Sequence, residues 1–141
     1  MYLRKLLSLE DARTAGESAF KKAMENPDWP VAIALVDATS ELVYFMKMDN
    51  SSPLYAKMAI NKAYTVVHFE MDNIMQFLKP QGLEISAWPD PKFTPMGGTI
   101  IKASDGAVLG GIGVSGRRPD IHNVSDRDIE MAGVKALSLL K

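Results

Sequence analysis

The 141-residue sequence contains no cysteine, which excludes disulfides, thiolate metal sites and a cysteine nucleophile. A chain without cysteine suits a reducing compartment, and we expect a cytoplasmic protein. Histidine is also scarce, because the chain carries only His68 and His122, far apart in the sequence. We therefore expect no structural zinc site and no other bound metal ion.

The sequence also lacks a long apolar run and an excess of either charge. Its longest apolar run, residues 31–36, is far shorter than the roughly 20 residues that span a bilayer. The apolar part of residues 1–10 is too short for a signal peptide. The net charge is −1 and no basic block occurs, although phosphate binding needs a concentrated positive face. We expect a soluble protein that binds neither membranes nor nucleic acid.

The chain has the size and composition of one globular domain. A length of 141 residues is near the usual size for a single hydrophobic core. The hydrophobic share of 47% and the charged share of 23% are ordinary for such a domain. Since no repeat, low-complexity segment or linker interrupts the sequence, we expect a single domain over residues 1–141.

Helix and strand signals follow the order helix, hairpin, helices, hairpin, helix. Ser8 with Asp11, and Ser125 with Asp128, have the spacing of capping boxes. The Asp105-Gly106 pair is typical of a hairpin turn. Residues 79–95, which hold four of the eight prolines, are expected to be mostly loop. The predicted helices cover residues 9–25, 54–69, 71–78 and 125 to about Leu140, and the predicted strands cover residues 31–37, 42–48, 97–103 and 107–114.

Two ordered groups of motifs extend from about Leu9 to Leu137. The first group is Val36-Asp37, Leu42-Val43, Lys47-Met48-Asp49, Pro53 and Ile60-Asn61-Lys62-Ala63-Tyr64-Thr65. The second group is Gly97-Gly98, Gly110-Gly111-Ile112-Gly113-Val114-Ser115-Gly116, Asp126 and Ala132-Gly133. In order and spacing, the set resembles the GlcG/HbpS family, which includes the carboxy-terminal domain of PduO-type corrinoid adenosyltransferases.

The resemblance implies an α+β, profilin-like fold in which helices flank a five-stranded antiparallel sheet. It also implies a homo-oligomer, a dimer or a larger assembly, and a haem or related tetrapyrrole or corrinoid ligand, as for some members of the family. The sequence departs from the family pattern at loops and rims, where ligand choice is usually determined. The departures are Thr39, Ser40, Lys47, Asn50, Thr99 and the loop over residues 117–124.

Lys62 lies within the apolar stripe of a predicted helix. At about 100° per residue, Tyr55, Met58 and Val66 fall on the same side of the helix as Lys62. A lysine in such a stripe must snorkel to water, pair with a carboxylate or contact a ligand. Three roles remain open, namely a structural ion pair with Asp37 or Asp126, a ligand anchor, and a nucleophile of lowered pKa.

The segment Gly111-Ile112-Gly113-Val114-Ser115-Gly116 matches the pattern G-x-G-x-x-G. A dinucleotide site would require a helix directly afterwards, whereas Arg117, Arg118 and Pro119 follow here. Ser115 also lacks the G-x-S-x-G context of a serine hydrolase. We interpret the glycines as places where another backbone, a flat ligand or a neighbouring subunit approaches closely.

Other candidate ligand contacts carry two interpretations each. His68 is expected on a polar helix side, in solvent, whereas His122 lies in a loop near Arg117 and Arg118 and is a candidate ligand contact. The two arginines are candidates for binding carboxylates or phosphates, or are solvated surface charges. The segment from Trp88 to Met96 is rich in proline and aromatic residues, and would either wall a pocket or pack on a second subunit.

The leading hypothesis is a homo-oligomeric small-molecule-binding protein with haem as its possible cofactor. We expect the pocket between the Lys62 helix and the glycine-rich strand. One alternative is an enzyme that acts on a small oxygenated metabolite through Lys62 with Asp37, Asp49 or Asp126, and another is an assembly protein without a ligand. No catalytic residue is assigned. The predicted ligand-binding residues are Asp37, Lys47, Asp49, Lys62, Gly97, Gly98, Gly111, Gly113, Ser115, Gly116, Arg117 and Asp126.

Overall fold

The fold is an antiparallel sheet between two helical layers, seen in a computed structural model that describes residue 1 and residues 3–138. Its elements are α1 (Leu9–Ala23), β1 (Ala32–Asp37), β2 (Leu42–Lys47), α2 (Pro53–Phe69), α3 (Ile74–Leu78), β3 (Thr99–Lys102), β4 (Val108–Ser115) and α4 (Asp126–Ser138). The strand order is β2-β1-β4-β3. None of the helices among these residues is long and apolar enough to cross a membrane.

The predicted capping boxes begin the first and last helices. The hydroxyl of Ser8 accepts a hydrogen bond from the Asp11 N–H at 3.0 Å. At α4, the Ser125 N–H donates to the Asp128 carboxylate at 2.9 Å, and the Asp128 N–H donates to the Ser125 hydroxyl at 3.3 Å. These bonds satisfy amide donors that a helix start leaves unpaired. The predicted end of the last helix, near Leu140, lies outside the described residues.

The sheet of the described residues has four strands, so the expectation of five is wrong. The two predicted hairpins supply all four strands. Residues 79–95 supply no further strand. As expected, they form mostly loop, with two short 3-10 helices at Lys79–Gln81 and Ile85–Ala87. The N-terminal segment reaches the sheet through the Leu7 N–H, which donates to the Leu109 carbonyl at 2.9 Å. This bond lies just beyond the last β1–β4 pair, Asp37 with Gly110, and within residues 3–8 it does not extend into a ladder.

The two faces of the sheet carry side chains of different size. Ile33, Leu35, Ile112 and Val114 belong to the main core with α1 and α4. On the opposite face, Ala32 and Ala34 pack against Ala59 of α2. Because successive strand residues point to opposite faces, this difference follows directly from the alternation of large and small residues. The small face lets the α2 backbone lie close to the sheet.

Gly111 and Gly113 extend this small face into β4. A Cβ on Gly113 would lie 2.8 Å from the Ala63 nitrogen and would also collide with the Ala59 carbonyl. A Cβ on Gly111 would lie 2.9 Å from a methyl group of Val66. The sequence left open whether another backbone, a flat ligand or a neighbouring subunit approaches these glycines. In the structure it is another backbone, that of α2.

Gly113→Ala is expected to lower the free energy of unfolding by roughly 3 kcal/mol, because its methyl group would force the α2 backbone away from β4. Gly82→Ala is the control, since a Cβ there meets no atom within 4 Å although its φ is +68°. That variant should lose only about 1 kcal/mol, from its left-handed backbone. Urea unfolding measures both losses, and equal losses would contradict the close packing of α2 on β4.

Candidate functional site

A cavity of about 720 Å³ opens at the end of β4, beside the first half of α2. Its volume is within the usual range for small-molecule sites. The walls combine apolar side chains of α2 with polar groups from β4, α4 and the loop between them. The lining residues are Leu54, Tyr55, Met58, Lys62, Met96, Gly97, Ser115, Gly116, Arg117, Arg118, Pro119, Ile121, His122, Ser125, Asp126, Arg127 and Glu130. A smaller depression of about 370 Å³ at Met75, Gln76, Lys79 and Pro80 contains no predicted site residue.

The cavity exists because β4 continues past the start of its neighbour β3. The pairing of these strands begins with Thr99 opposite Ile112. Before Thr99 the chain turns through Gly97 and Gly98, whose φ angles are +76° and +94°. Such angles are natural for glycine and strained for other residues. The N–H and C=O of Val114 therefore have no strand partner on this side.

Two side chains occupy the place of the missing strand. The Val114 N–H donates to the Glu130 carboxylate at 3.0 Å, and the Val114 C=O accepts a hydrogen bond from the Lys62 ammonium at 2.7 Å. Lys62 comes from α2 and Glu130 from α4, on opposite faces of the sheet. Together they satisfy backbone groups that would otherwise be buried without partners, at considerable cost in free energy.

Lys62 also pairs with Asp126, which confirms the structural ion pair and selects one of its two predicted partners. Its Nζ lies 3.1 Å from the Asp126 Oδ2, and the two side chains are 6% and 16% exposed. Burial raises the pKa of the Asp126 carboxyl, and the Lys62 ammonium partly opposes that shift. The other Asp126 oxygen accepts the Arg117 N–H at 2.8 Å. Asp126 thereby joins α2, α4 and the loop after β4.

Glu130 is the functional candidate that the sequence analysis missed. Its side chain is almost fully buried and accepts hydrogen bonds from the Thr99 hydroxyl at 2.8 Å and from the Val114 N–H. Burial raises the pKa of Glu130 from 4.5 to about 7, against the opposing effect of these hydrogen bonds and of Lys62. A carboxyl group with such a pKa can exchange a proton near neutral pH.

Arg117 lines the cavity, but its guanidinium group is committed to the fold. Nη2 donates to the carbonyls of Ala23 at 2.6 Å and Asn26 at 2.9 Å, and Nε donates to Trp29 at 3.0 Å. These carbonyls lie at or just beyond the C-terminal end of α1, where a cation is favoured. The Arg117 guanidinium therefore fixes this loop to α1 and contributes its positive charge to the cavity.

Arg118 and His122 stand at the rim of the cavity. Arg118 is exposed and pairs with Asp120 at 2.6 Å. Nδ1 of His122 accepts the Arg118 N–H at 3.0 Å, and its ring contacts that of Trp29 edge-on, with centroids 4.6 Å apart. Because Nδ1 accepts, a neutral His122 carries its proton on Nε2.

Of the twelve predicted site residues, six line the cavity and six do not. The six that line it are Lys62, Gly97, Ser115, Gly116, Arg117 and Asp126. Gly98, Gly111 and Gly113 pack against α2 instead. Lys47 and Asp49 are exposed at the end of β2. Asp37 accepts the N–H and the hydroxyl of Thr39 at 2.8 and 2.6 Å, so it stabilises the β1–β2 turn.

The aromatic–proline segment packs against α2, away from the cavity. The ring of Phe93 lies 5.7 Å from that of Tyr64 and 5.2 Å from that of Phe69, and Trp88 contacts Phe69 at 5.5 Å. Only Met96, at the end of the segment, lines the cavity. His68 is exposed, as expected, and also belongs to this outer cluster.

Glu130→Gln is expected to remove a pH-dependent loss of stability. Because the Glu130 pKa is higher in the folded chain, ionisation destabilises the fold progressively between about pH 4.5 and 7, by roughly 3 kcal/mol in total. Glutamine keeps an acceptor for Val114 and cannot ionise. Urea unfolding at pH 5 and pH 8 should show the variant losing about 2.5 kcal/mol less than the wild type, since part of the loss has already occurred at pH 5. Identical losses would contradict a buried, titrating Glu130.

A family model described as haem degrading protein HbpS-like matches residues 7–134. No protein with a curated description matches the chain.

Solved structures share the fold over nearly the whole chain. Protein ORFY of Klebsiella pneumoniae is 18% identical with a TM-score of 0.85, and the match covers 100% of this chain and 97% of that one. A double mutant of HbpS from Streptomyces reticuli is 26% identical with a TM-score of 0.82, covering 97% and 90%. A structure of a PduOC–haem complex is 23% identical with a TM-score of 0.77, covering 93% and 94%. The chain belongs to the HbpS-like family.

Proposed function

We propose that this chain is a small-molecule-binding protein whose cavity holds haem or a related tetrapyrrole. The observation that carries the proposal is the cavity of about 720 Å³, with an apolar wall on α2 and polar groups at its base. Such a combination of apolar walls and a few convergent polar groups is typical of sites for small organic ligands.

The lining residues fit a flat macrocycle that carries carboxylates. Apolar or aromatic side chains cover the walls, namely Leu54, Tyr55, Met58, Met96 and Ile121. Arg118 and Arg127 stand at the rim, where each now pairs with an exposed or half-exposed carboxylate. Such pairs contribute little to stability, so the exposed Arg118 guanidinium can turn to a ligand carboxylate at low cost, whereas Arg127 also donates to the Thr99 hydroxyl at 2.8 Å.

Haem, when bound, would supply a redox-active iron, and three wall residues are of types that ligate haem iron in proteins, namely Tyr55, Met58 and Met96. His122 is not presented for this role, since its Nδ1 accepts the Arg118 N–H and its proton is then on Nε2. Among the described residues, no three histidine, aspartate or glutamate side chains form a metal-binding group.

The comparisons support the haem proposal in two ways. The matching family model is described as haem degrading, and it spans residues 7–134. One structural neighbour is a haem complex with 23% identity, which shows a common fold. We also propose that the chain forms a homo-oligomer, because large apolar side chains remain exposed on one chain alone. Outside the cavity they include Leu42, Phe45, Met75, Phe77, Leu83 and Trp88.

Hemin titration followed by the Soret band tests the proposal. The wild type should shift and sharpen the band at micromolar hemin, and Met58→Trp should bind at least about ten-fold more weakly because the indole fills the cavity. Met75→Trp on α3 is the matched control, outside this cavity, and should bind as the wild type does. An unchanged spectrum of hemin with the wild type, or equal affinities for both variants, would refute the proposal.

An acid–base enzyme is the second candidate, and the titrating Glu130 next to Lys62 and Asp126 favours it. Glu130 and Asp126 line the same cavity, so they are placed to exchange protons with a small oxygenated metabolite. In a screen of small hydroxy and oxo acids, this role requires turnover by the wild type and its loss in Glu130→Gln. Absence of turnover by the wild type would leave binding as the function.

A further inference from the structure

We propose that the base of the cavity is a carboxylate subsite, in which Lys62 and Ser115 donate hydrogen bonds to a carboxylate of the ligand. The inference rests on the proposed function and adds the orientation of the bound ligand, which points one of its carboxylates toward the base of the cavity. It also identifies the chemical feature that a ligand must carry, since a flat apolar molecule without a carboxylate would leave the subsite unfilled.

The first observation is a serine hydroxyl at the cavity, on a residue that is otherwise largely buried. Ser115 is 6% exposed and lines the cavity. In the part of the chain that the structure describes, the fully buried side-chain oxygen without a partner is that of Ser51, so the Ser115 hydroxyl is open to the cavity. At the base of a cavity, the natural partner is a ligand atom that accepts a hydrogen bond.

The second observation is the remaining donor of Lys62. An ammonium group has three N–H donors, and Val114 and Asp126 accept two of them, at 2.7 and 3.1 Å. Gly97 borders the ammonium on the cavity side, where a Cβ would lie 3.6 Å from Nζ. The absence of a side chain at Gly97 leaves room beside the third donor. Lys62 and Ser115 thus offer two donors to one ligand oxygen or carboxylate.

The charges at the base decide when an anion can bind. The cations are Lys62 and Arg117, and the carboxyl groups are Asp126 and Glu130. With both carboxyl groups ionised, the two positive and two negative charges cancel. A ligand carboxylate would then add a negative charge that no cation at the base balances. With Glu130 protonated, one positive charge remains for the ligand. The ligand carboxylate therefore binds together with a proton on Glu130.

The surroundings of Glu130 support this coupling. From β3, the Thr99 hydroxyl donates to Glu130 and itself accepts a hydrogen bond from Arg127 at 2.8 Å. The Arg127 charge is already paired with Asp72, at 3.2 Å. The Glu130 pKa of about 7 places the proton exchange near neutral pH. Anion affinity should accordingly fall as the pH rises through this value.

The test compares hemin with its dimethyl ester, which has the same ring and iron but no free carboxylate. Wild-type protein should bind hemin at least about ten-fold more tightly than the ester. Ser115→Ala should weaken hemin binding about ten-fold, as expected for a lost hydrogen bond to a charged group, and leave ester binding unchanged. Ser51→Ala is the matched control, since Ser51 is equally buried, its hydroxyl has no partner among the described residues, and it lies outside the cavity.

A second measurement uses pH. Between pH 6.5 and 8.5, hemin affinity of the wild type should fall roughly ten-fold, while Glu130→Gln should hold it nearly constant. Equal binding of hemin and its ester, or no effect of Ser115→Ala, would overturn the carboxylate subsite while leaving haem binding intact. A pH response shared by wild type and Glu130→Gln would overturn the coupling to Glu130. Failure of the wild type to bind either compound would reject the proposed function itself.

Discussion

The unpaired end of β4 is the constraint on which the rest of the structure depends. Val114 has an N–H and a C=O that face away from β1, and β3 starts too late to meet them. Leaving a buried backbone N–H or C=O without a partner costs more free energy of folding than a typical hydrogen bond contributes. Lys62 and Glu130 satisfy both groups from opposite faces of the sheet. The same two bonds that complete the strand therefore connect the two helical layers around its edge.

This solution brings charge into the interior and determines the chemistry of the cavity. A buried ammonium group needs a carboxylate, and Asp126 supplies it. Glu130 meets hydrogen-bond donors but also a second carboxylate nearby, so burial dominates and its proton is held more tightly. Hydrocarbon side chains could not take the place of the missing strand, because only polar groups can form hydrogen bonds with the N–H and C=O of Val114. The polar base of the cavity is thus a consequence of where β3 begins.

Local sequence patterns predicted much of this arrangement. Capping residues, apolar runs, Pro53 and a hairpin signal placed the α-helices and strands approximately, because these signals act within a few residues. Lys62 was recognised because it interrupts an apolar helical stripe. The same argument would have found Glu130, which shares a helical face with Gly133 and Leu137, both buried. Local patterns could not decide whether Asp37 or Asp126 is the partner of Lys62. That choice depends on which distant segments the tertiary fold brings together. The fifth strand came from the resemblance alone, whereas the residues themselves indicated four.

The glycine-rich strand shows why fold and site cannot be separated in this chain. Alternate residues of β4 face α2. Two of them, Gly111 and Gly113, are glycines because the α2 backbone lies too close to leave room for a side chain. Ser115 is the next residue on that face. Its side chain lines the cavity. One alternating pattern thus positions a helix over two residues and presents a hydroxyl to the cavity at the third, so a change that moved α2 would move the site with it.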